Sequence, residues 1–299
     1  MKKYIITGSL GHISRPLIRD LVKAGNEVSV ITSTSDRVSE IEKLGATALI
    51  GKVQDPSFLK SAFNGADAVY TMIPPIWHTN NLRASMNEVA TNYTDAIRAN
   101  DIQYVVNLSS IGAHLGNGAG PVDGLHDFEQ MLNKIPGVNV KHLRPSYFYY
   151  NFFTQINLIK TAGFMGANFG DQKLFLVHTN DIAAIAAEEL LTLKFIGFSS
   201  RYIIGDERSG KEVAQVLGSA IGKELNWVLF TDEAYQQGLL QAGVPETHAE
   251  NYTAMGKALR DGSLQSDALR NKPAFSPTKL EDFAPEFAAA FQAEEVINH

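Results

Sequence analysis

Lys3-Tyr-Ile-Ile-Thr-Gly8-Ser-Leu-Gly11-His-Ile-Ser14-Arg-Pro-Leu17 reads as a short buried strand, a glycine-marked turn and the start of a helix. Gly8 can take a turn that a side chain would block. Gly11 lets the backbone approach a ligand closely, and Ser14 is small enough for helix and strand to pack at the third position of the pattern. Leu17, Ile18, Leu21 and Val22 give the helix one apolar face, Pro16 falls where its missing N–H does no harm, and Gly25 supplies the stop. A helix that begins just after such a turn aims unsatisfied N–H groups and a positive dipole end at one spot. A dinucleotide pyrophosphate suits it. The spacing is Gly-x-x-Gly-x-x-Ser rather than Gly-x-Gly-x-x-Gly, so position matters more than pattern: the turn begins at residue 8, follows an apolar run and opens an amphipathic helix.

Outward from this junction the first half alternates strand and helix signals. Strands are predicted at 28–31, 48–50, 67–73, 104–108 and 138–143, with helices at 36–44, 56–63, 81–99 and 127–134. That rhythm predicts an α/β fold with a Rossmann-like doubly wound parallel sheet. Residues 1–146 form the expected dinucleotide-binding domain, and 174–204 are expected to return to it, Leu174–Val177 as a strand and 180–193 as a helix capped by Asn180 or Thr179. Residues 147–173 and 205–299 then form a smaller, mostly helical C-terminal lobe for the substrate, with helices at 211–221, 232–241, 246–260 and 279–294.

Composition narrows the function. The 299 residues are 44% hydrophobic, enough for one large core or two joined ones, and 26 basic against 32 acidic residues leave a net charge of −6. That balance excludes general nucleic-acid affinity. There are no cysteines, which removes thiolate chemistry, and the eight histidines show no metal-binding spacing. The apolar run after the N-terminal lysines is too short for a signal peptide, and no stretch approaches a membrane span, so a cytoplasmic location is expected, with no membrane partner. A homodimer is compatible with the long helix at 81–99.

The cofactor is read at the end of the second strand, Val30-Ile31-Thr32-Ser33-Thr34-Ser35-Asp36-Arg37. Hydroxyls fill the first positions where a carboxylate would favour an unphosphorylated ribose, and Arg37 lies within loop reach of a 2′-phosphate. NADP(H) is therefore expected over NAD(H), which stays possible if Asp36 turns inward. Tyr147, Phe148, Tyr149 and Tyr150, with Ile76 and Trp77 after the fourth strand and Ser110 after the fifth, are candidates to receive a flat aromatic acceptor by stacking. The same aromatics also suit a hydrophobic seam.

Thr7-Gly8-Ser-Leu-Gly11, the turn Gly51-Lys-Val-Gln-Asp55, Leu108-Ser-Ser110, Leu143-Arg-Pro145-Ser-Tyr147-Phe-Tyr-Tyr-Asn151 and His178-Thr-Asn-Asp181-Ile-Ala183 together resemble the NmrA-like branch of the atypical short-chain dehydrogenases/reductases, in particular its NADPH-dependent quinone reductases. The resemblance covers roughly residues 3–230. It implies that Gly8, Leu10, Gly11, His12 and Ile13 line the pyrophosphate and adenosine ribose, that Thr32, Ser33 and Arg37 meet the 2′-phosphate, that Ile73 and Pro74 pass beside the adenine-side ribose, that Ser109 lies near the nicotinamide ribose, and that Pro145 and Tyr147 flank the nicotinamide.

One departure stands out. None of the ten tyrosines is followed four residues later by lysine, so the Tyr-x-x-x-Lys proton relay of most short-chain dehydrogenases is absent; His126 and Gln130 stand in its place. His126 is the one candidate proton donor. The expected activity is reduction of a small conjugated carbonyl or quinone-like acceptor by hydride transfer. An NADP(H)-sensing regulator acting on a protein partner is the alternative, and a nucleotide-sugar epimerase or dehydratase the third reading, which lacks the residues it needs.

Overall fold

The computed structural model describes residues 1–170 and 172–293, and the chain divides into two compact units. The first holds 1–116, 121–144 and 182–201. It starts with β1 (Lys3–Ile6), α1 (Ser14–Lys23), β2 (Glu27–Thr32), α2 (Val38–Lys43), β3 (Thr47–Ile50), α3 (Pro56–Ala62), β4 (Ala68–Thr71), α4 (Leu82–Ala99), β5 (Tyr104–Leu108), α5 (Val122–Asn133) and β6 (Asn139–Pro145). Short apolar strands alternate with helices because each strand is covered on both faces. Asp55 begins α3 by accepting the N–H groups of Ser57 (2.9 Å) and Phe58 (3.1 Å), and Asn81 begins α4 by accepting that of Ala84 (3.0 Å).

The large sheet runs β3-β2-β1-β4-β5-β6 and ends on β10 (Phe198–Ile203). Neighbours from β3 through β6 pair in parallel. Strand order reverses between β1 and β4, so the turn after β1 opens onto the crevice where such sheets bind ligands. On one face Ile5, Val69, Val105 and Val140 pack with Val89, Ala90 and Tyr93 of α4 and Phe128 and Leu132 of α5. The Tyr93 ring stacks near Phe63 (6.3 Å) and Phe128 (5.7 Å). Helix α5 starts at Val122, five residues before the predicted start at 127; Gly124 sits inside its first turn against Met86, where a β-carbon would come within 2.7 Å of the sulfur.

The second unit holds 117–120, 145–181 and the chain from Tyr202 on. Its elements are β7 (Tyr147–Phe148), α6 (Ile156–Ala162), β8 (Met165–Ala167), β9 (Leu174–Val177), β11 (Asp206–Arg208), α8 (Gly210–Ala220), β12 (Trp227–Leu229), α9 (Asp232–Gln241), α10 (Glu246–Arg260), α11 (Ser266–Arg270) and α12 (Leu280–Gln292); α7 (Thr179–Thr192) crosses from one unit to the other. The expected end of the last helix at residue 294 lies outside the described residues. Leu174–Val177 does not return to the large sheet. It is the centre of a three-stranded sheet, antiparallel to β11 and parallel to β7; Phe198–Ile203 takes the edge place instead. The start of α7 also differs from expectation: the Asn180 N–H is accepted by Nδ1 of His178 at 3.0 Å, so the ring caps the helix. Asp232, at the head of α9, is gripped by both ends of the Arg260 guanidinium (2.7 and 2.8 Å) and by Asn168 (2.8 Å). Among the described residues no helix is long and apolar enough to cross a membrane.

Candidate cofactor site at the carboxyl edge of the large sheet

After β1 the chain turns at Gly8 with φ +87° and Ser9 with φ +50°. A β-carbon on Gly8 would lie 2.8 Å from Ser14 Oγ and 3.0 Å from Met72 Cγ, so only glycine fits. Ser14 donates its hydroxyl to the Thr7 carbonyl (3.1 Å), which ties the head of α1 to the end of β1, and Gly11 N–H donates to Gly8 O (3.1 Å) to close the turn. Ile13 precedes α1 with no side-chain cap, and no acidic residue stands in the first turn. The buried Ser9 hydroxyl has no hydrogen-bond partner. A non-glycine residue held at positive φ, an uncapped helix start and an orphaned hydroxyl together fit a phosphate acceptor. Leu10 and Gly11 are half-buried, His12 is exposed, and Ile13 is buried.

At the end of β2, Thr32 is buried and donates its hydroxyl to Thr34 O (3.2 Å). Ser33 and Arg37 are exposed, Arg37 in a single 3₁₀ turn, Ser35–Arg37. Arg15 of α1 is already paired with Glu40 of α2 at 2.6 Å, whereas Arg37 makes no ion pair among the described residues. After β4, Ile73 and Pro74 are half-buried, Ile73 packing on the core face.

A second structure lies along the same edge. Thr71, Asn107 and His142 are in register on β4, β5 and β6. Thr71 donates to Asn107 Oδ1 (3.1 Å), Asn107 Nδ2 donates to His142 Nδ1 (3.2 Å), and His142 Nε2–H donates to Asn133 Oδ1 on α5 (2.8 Å). Those bonds require the neutral ring with its proton on Nε2. His142 is 1% exposed, and burial drives its pKa down to about 4. One turn earlier on α5 and two residues later on the strands, Ser109 donates to Glu129 Oε1 (2.5 Å), and Arg144 donates to both carboxylate oxygens (3.0 and 2.6 Å). Burial alone would raise the Glu129 carboxyl; the Arg144 bonds and charge and the Ser109 hydroxyl outweigh it and hold the group below its usual range. Nothing in the spacing of Asn107, Ser109, Glu129, Asn133, His142 and Arg144 had marked them as one cluster. The readable signal was polar residues at period two on β5 and β6 facing a four-residue polar step on α5.

The remaining candidates are distributed. His126 donates Nδ1–H to Ala113 O (2.7 Å), and its Nε2 sits against the Gly116 turn, where a β-carbon would lie 3.1 Å away. The ring staples the loop after β5. Ser110 donates its hydroxyl to Ile111 O (2.9 Å). Ile76 packs partly on the core face, and Trp77 is 38% exposed. In the second unit Tyr149 is fully buried, its hydroxyl donating to Thr278 O (3.1 Å) and its ring stacked on Phe283 (5.6 Å). Phe148 and Tyr150 are half-buried, Tyr150 edge-on to Phe153 (4.9 Å). Pro145 is buried, and Tyr147 packs on Phe152 (5.5 Å) and Phe169 (5.8 Å). Burial, then the phenols of Tyr235 and Tyr252, raise the Tyr147 pKa, so this hydroxyl stays protonated at neutral pH. Sequence reading missed Phe169, Tyr235 and Tyr252 as its companions.

The chain is 23% identical over 289 residues to an NAD(P)H azoreductase of Xenophilus azovorans, covering 97% of this chain and 98% of that one. Its fold is similar to an NADPH-dependent quinone oxidoreductase of Escherichia coli solved with NADPH (TM-score 0.79, 19% identity, 95% and 99% of the two chains). It is also similar to a Citrobacter triphenylmethane reductase solved with NADP(H) (TM-score 0.77, 20% identity, 95% and 99%). The model of the NmrA-like family matches residues 1–284, and the chain belongs to that family.

Proposed function

We propose that this protein is an NADP(H)-dependent reductase of a small conjugated acceptor, quinone-like or carbonyl. The observation that carries the reading is the Gly8–Ser14 turn, with its positive-φ Ser9, orphaned hydroxyl and uncapped helix start. Gly8, Leu10 and Ile13 would hold the pyrophosphate by main-chain N–H groups, with Gly11, whose own N–H closes the turn on Gly8 O, letting the backbone come close, and Ser33 and Arg37 would hold the 2′-phosphate. The azoreductase, quinone oxidoreductase and triphenylmethane reductase relatives support the same cofactor and reaction class. Bound NADPH supplies a hydride. The protein's part is orientation and exclusion of water. With His126 engaged by Ala113 O and no Tyr-Lys pair on α5, no side chain there is set to deliver a proton. A conjugated acceptor suits this, because it spreads the charge it gains and takes its proton from water.

The same absence favours one second reading, an NADP(H)-responsive regulator without turnover. Purified protein mixed with NADPH and a panel of quinones and enones separates the two by the loss of reduced-nicotinamide absorbance. Turnover above a Gly11→Trp control is expected. Tight NADPH binding with no turnover on any acceptor would establish the regulator, and no binding of either coenzyme would end both readings.

A further inference from the structure

The geometry points to Glu129 and Arg144 as positioning residues that turn Ser109 into a hydrogen-bond acceptor only, so that the bound group it meets is a donor. This deepens the cofactor reading and rests on it for the ligand. A hydroxyl has one proton and two lone pairs. Glu129 is 1% exposed and is held by both ends of the Arg144 guanidinium at 3.0 and 2.6 Å. Such a pair keeps the carboxylate ionised, and an ionised carboxylate only accepts. In the 2.5 Å contact the proton therefore belongs to Ser109 and points at Glu129. Its neighbour Ser110 spends its proton on Ile111 O. Both serines at the end of β5 have committed their protons inward, and no described donor fills the lone pairs on Ser109 Oγ.

Ser109 directly follows β5, two strands along the edge from Gly8, a distance of about 10 Å at the usual strand spacing. That is within reach of a dinucleotide anchored at the Gly8 turn. The group that meets Ser109 is then a ribose hydroxyl or a carboxamide N–H, and the oxygen of the acceptor under reduction receives no proton from it.

Binding of NADP⁺ and of 2′,5′-ADP, which lacks the nicotinamide half, tests the ligand arm by calorimetry. Ser109→Ala and Glu129→Gln are each expected to weaken NADP⁺ about tenfold, the worth of one hydrogen bond. Both should leave 2′,5′-ADP within twofold, Ser109→Thr should restore binding, and the double variant should be no weaker than Ser109→Ala alone. Losses that multiply, an unaffected Ser109→Ala, or equal loss for 2′,5′-ADP would overturn the assignment. The lock itself is read without cofactor, by a ¹³C carboxyl titration of glutamate-labelled apoprotein. Glu129 is expected ionised at pH 7, with a midpoint below 4.5 that rises in Ser109→Ala. A carboxyl protonated at pH 7, or a midpoint indifferent to Ser109→Ala, would overturn it even if Glu129→Gln failed to fold. Wild-type protein that binds neither nucleotide would sink the cofactor reading and the ligand arm, while the titration still decides the lock.

Discussion

Two stretches of the large sheet's carboxyl edge, after β1 and at β5 and β6, are built on opposite principles. At β1 the turn is backbone: Gly8 and Ser9 bend the chain at positive φ, the Gly11 N–H closes it on Gly8 O, and α1 starts with no side-chain cap and no acidic residue in its first turn. At β5 and β6 the site is side chain: Thr71, Asn107, His142 and Asn133 form one hydrogen-bonded row, and Ser109, Glu129 and Arg144 a second, both buried under α5. The first arrangement suits an anion, as proposed above. The second ties up its polar groups within the protein, the lone pairs of Ser109 apart, and has charge to lose. Perturbing the first should therefore show in ligand binding, and perturbing the second mainly in stability, with Ser109 the point at which it also reaches the ligand.

The sharpest break of that contrast is Glu129→Ala. Removing the carboxylate takes from the buried Arg144 guanidinium the ion pair with Glu129, a loss of about 3–5 kcal/mol in denaturant unfolding. A loss below about 1 kcal/mol would show that water rescues Arg144 and that the row is not closed. Acid should act in the same place. The His142 pKa is depressed to about 4 from an ordinary 6.5, so the unfolded chain binds more protons between those values. Stability is then full above pH 6.5 and falls as pH drops towards 4, by about 3 kcal/mol at most from this group. Glu129, also depressed, adds loss of the same sign below its ordinary value of 4.5. Unfolding midpoints measured from pH 7.5 to 4 should fall more steeply in wild type than in a His142→Gln variant. Parallel curves would mean that His142 is not the titrating group.

At the β1 turn, Gly8→Val places a side chain 2.8 Å from Ser14 Oγ at a φ that valine avoids. NADPH affinity should fall about 100-fold, equivalent to about 2.7 kcal/mol, in a calorimetric titration. Arg37→Ala should weaken NADPH about tenfold and leave NADH unchanged, the cost of one charge-assisted phosphate contact; equal loss for both coenzymes would move the 2′-phosphate elsewhere. Arg15→Ala should matter least. Its pair with Glu40 is half exposed on both sides, and surface pairs contribute under about 1 kcal/mol. A larger effect on NADPH than that of Arg37→Ala would exchange the roles of the two arginines.

The β1 turn was legible because everything that makes it lies within a dozen consecutive residues: an apolar run, two glycines and an amphipathic helix whose period can be counted. The alternation that follows announced a parallel sheet for the same local reason, and the hydroxyls and arginine after β2 could be read from one short stretch. Tertiary structure alone decided the rest. Strand register brought Asn107 beside His142, and helix packing set Glu129 between Ser109 and Arg144. Packing also sent Tyr149 into a core, and pairing gave the last place in the large sheet to Phe198–Ile203 instead of Leu174–Val177. Those outcomes depend on which of several chemically similar surfaces meet, and contacts between residues dozens of positions apart leave no periodic trace in the chain.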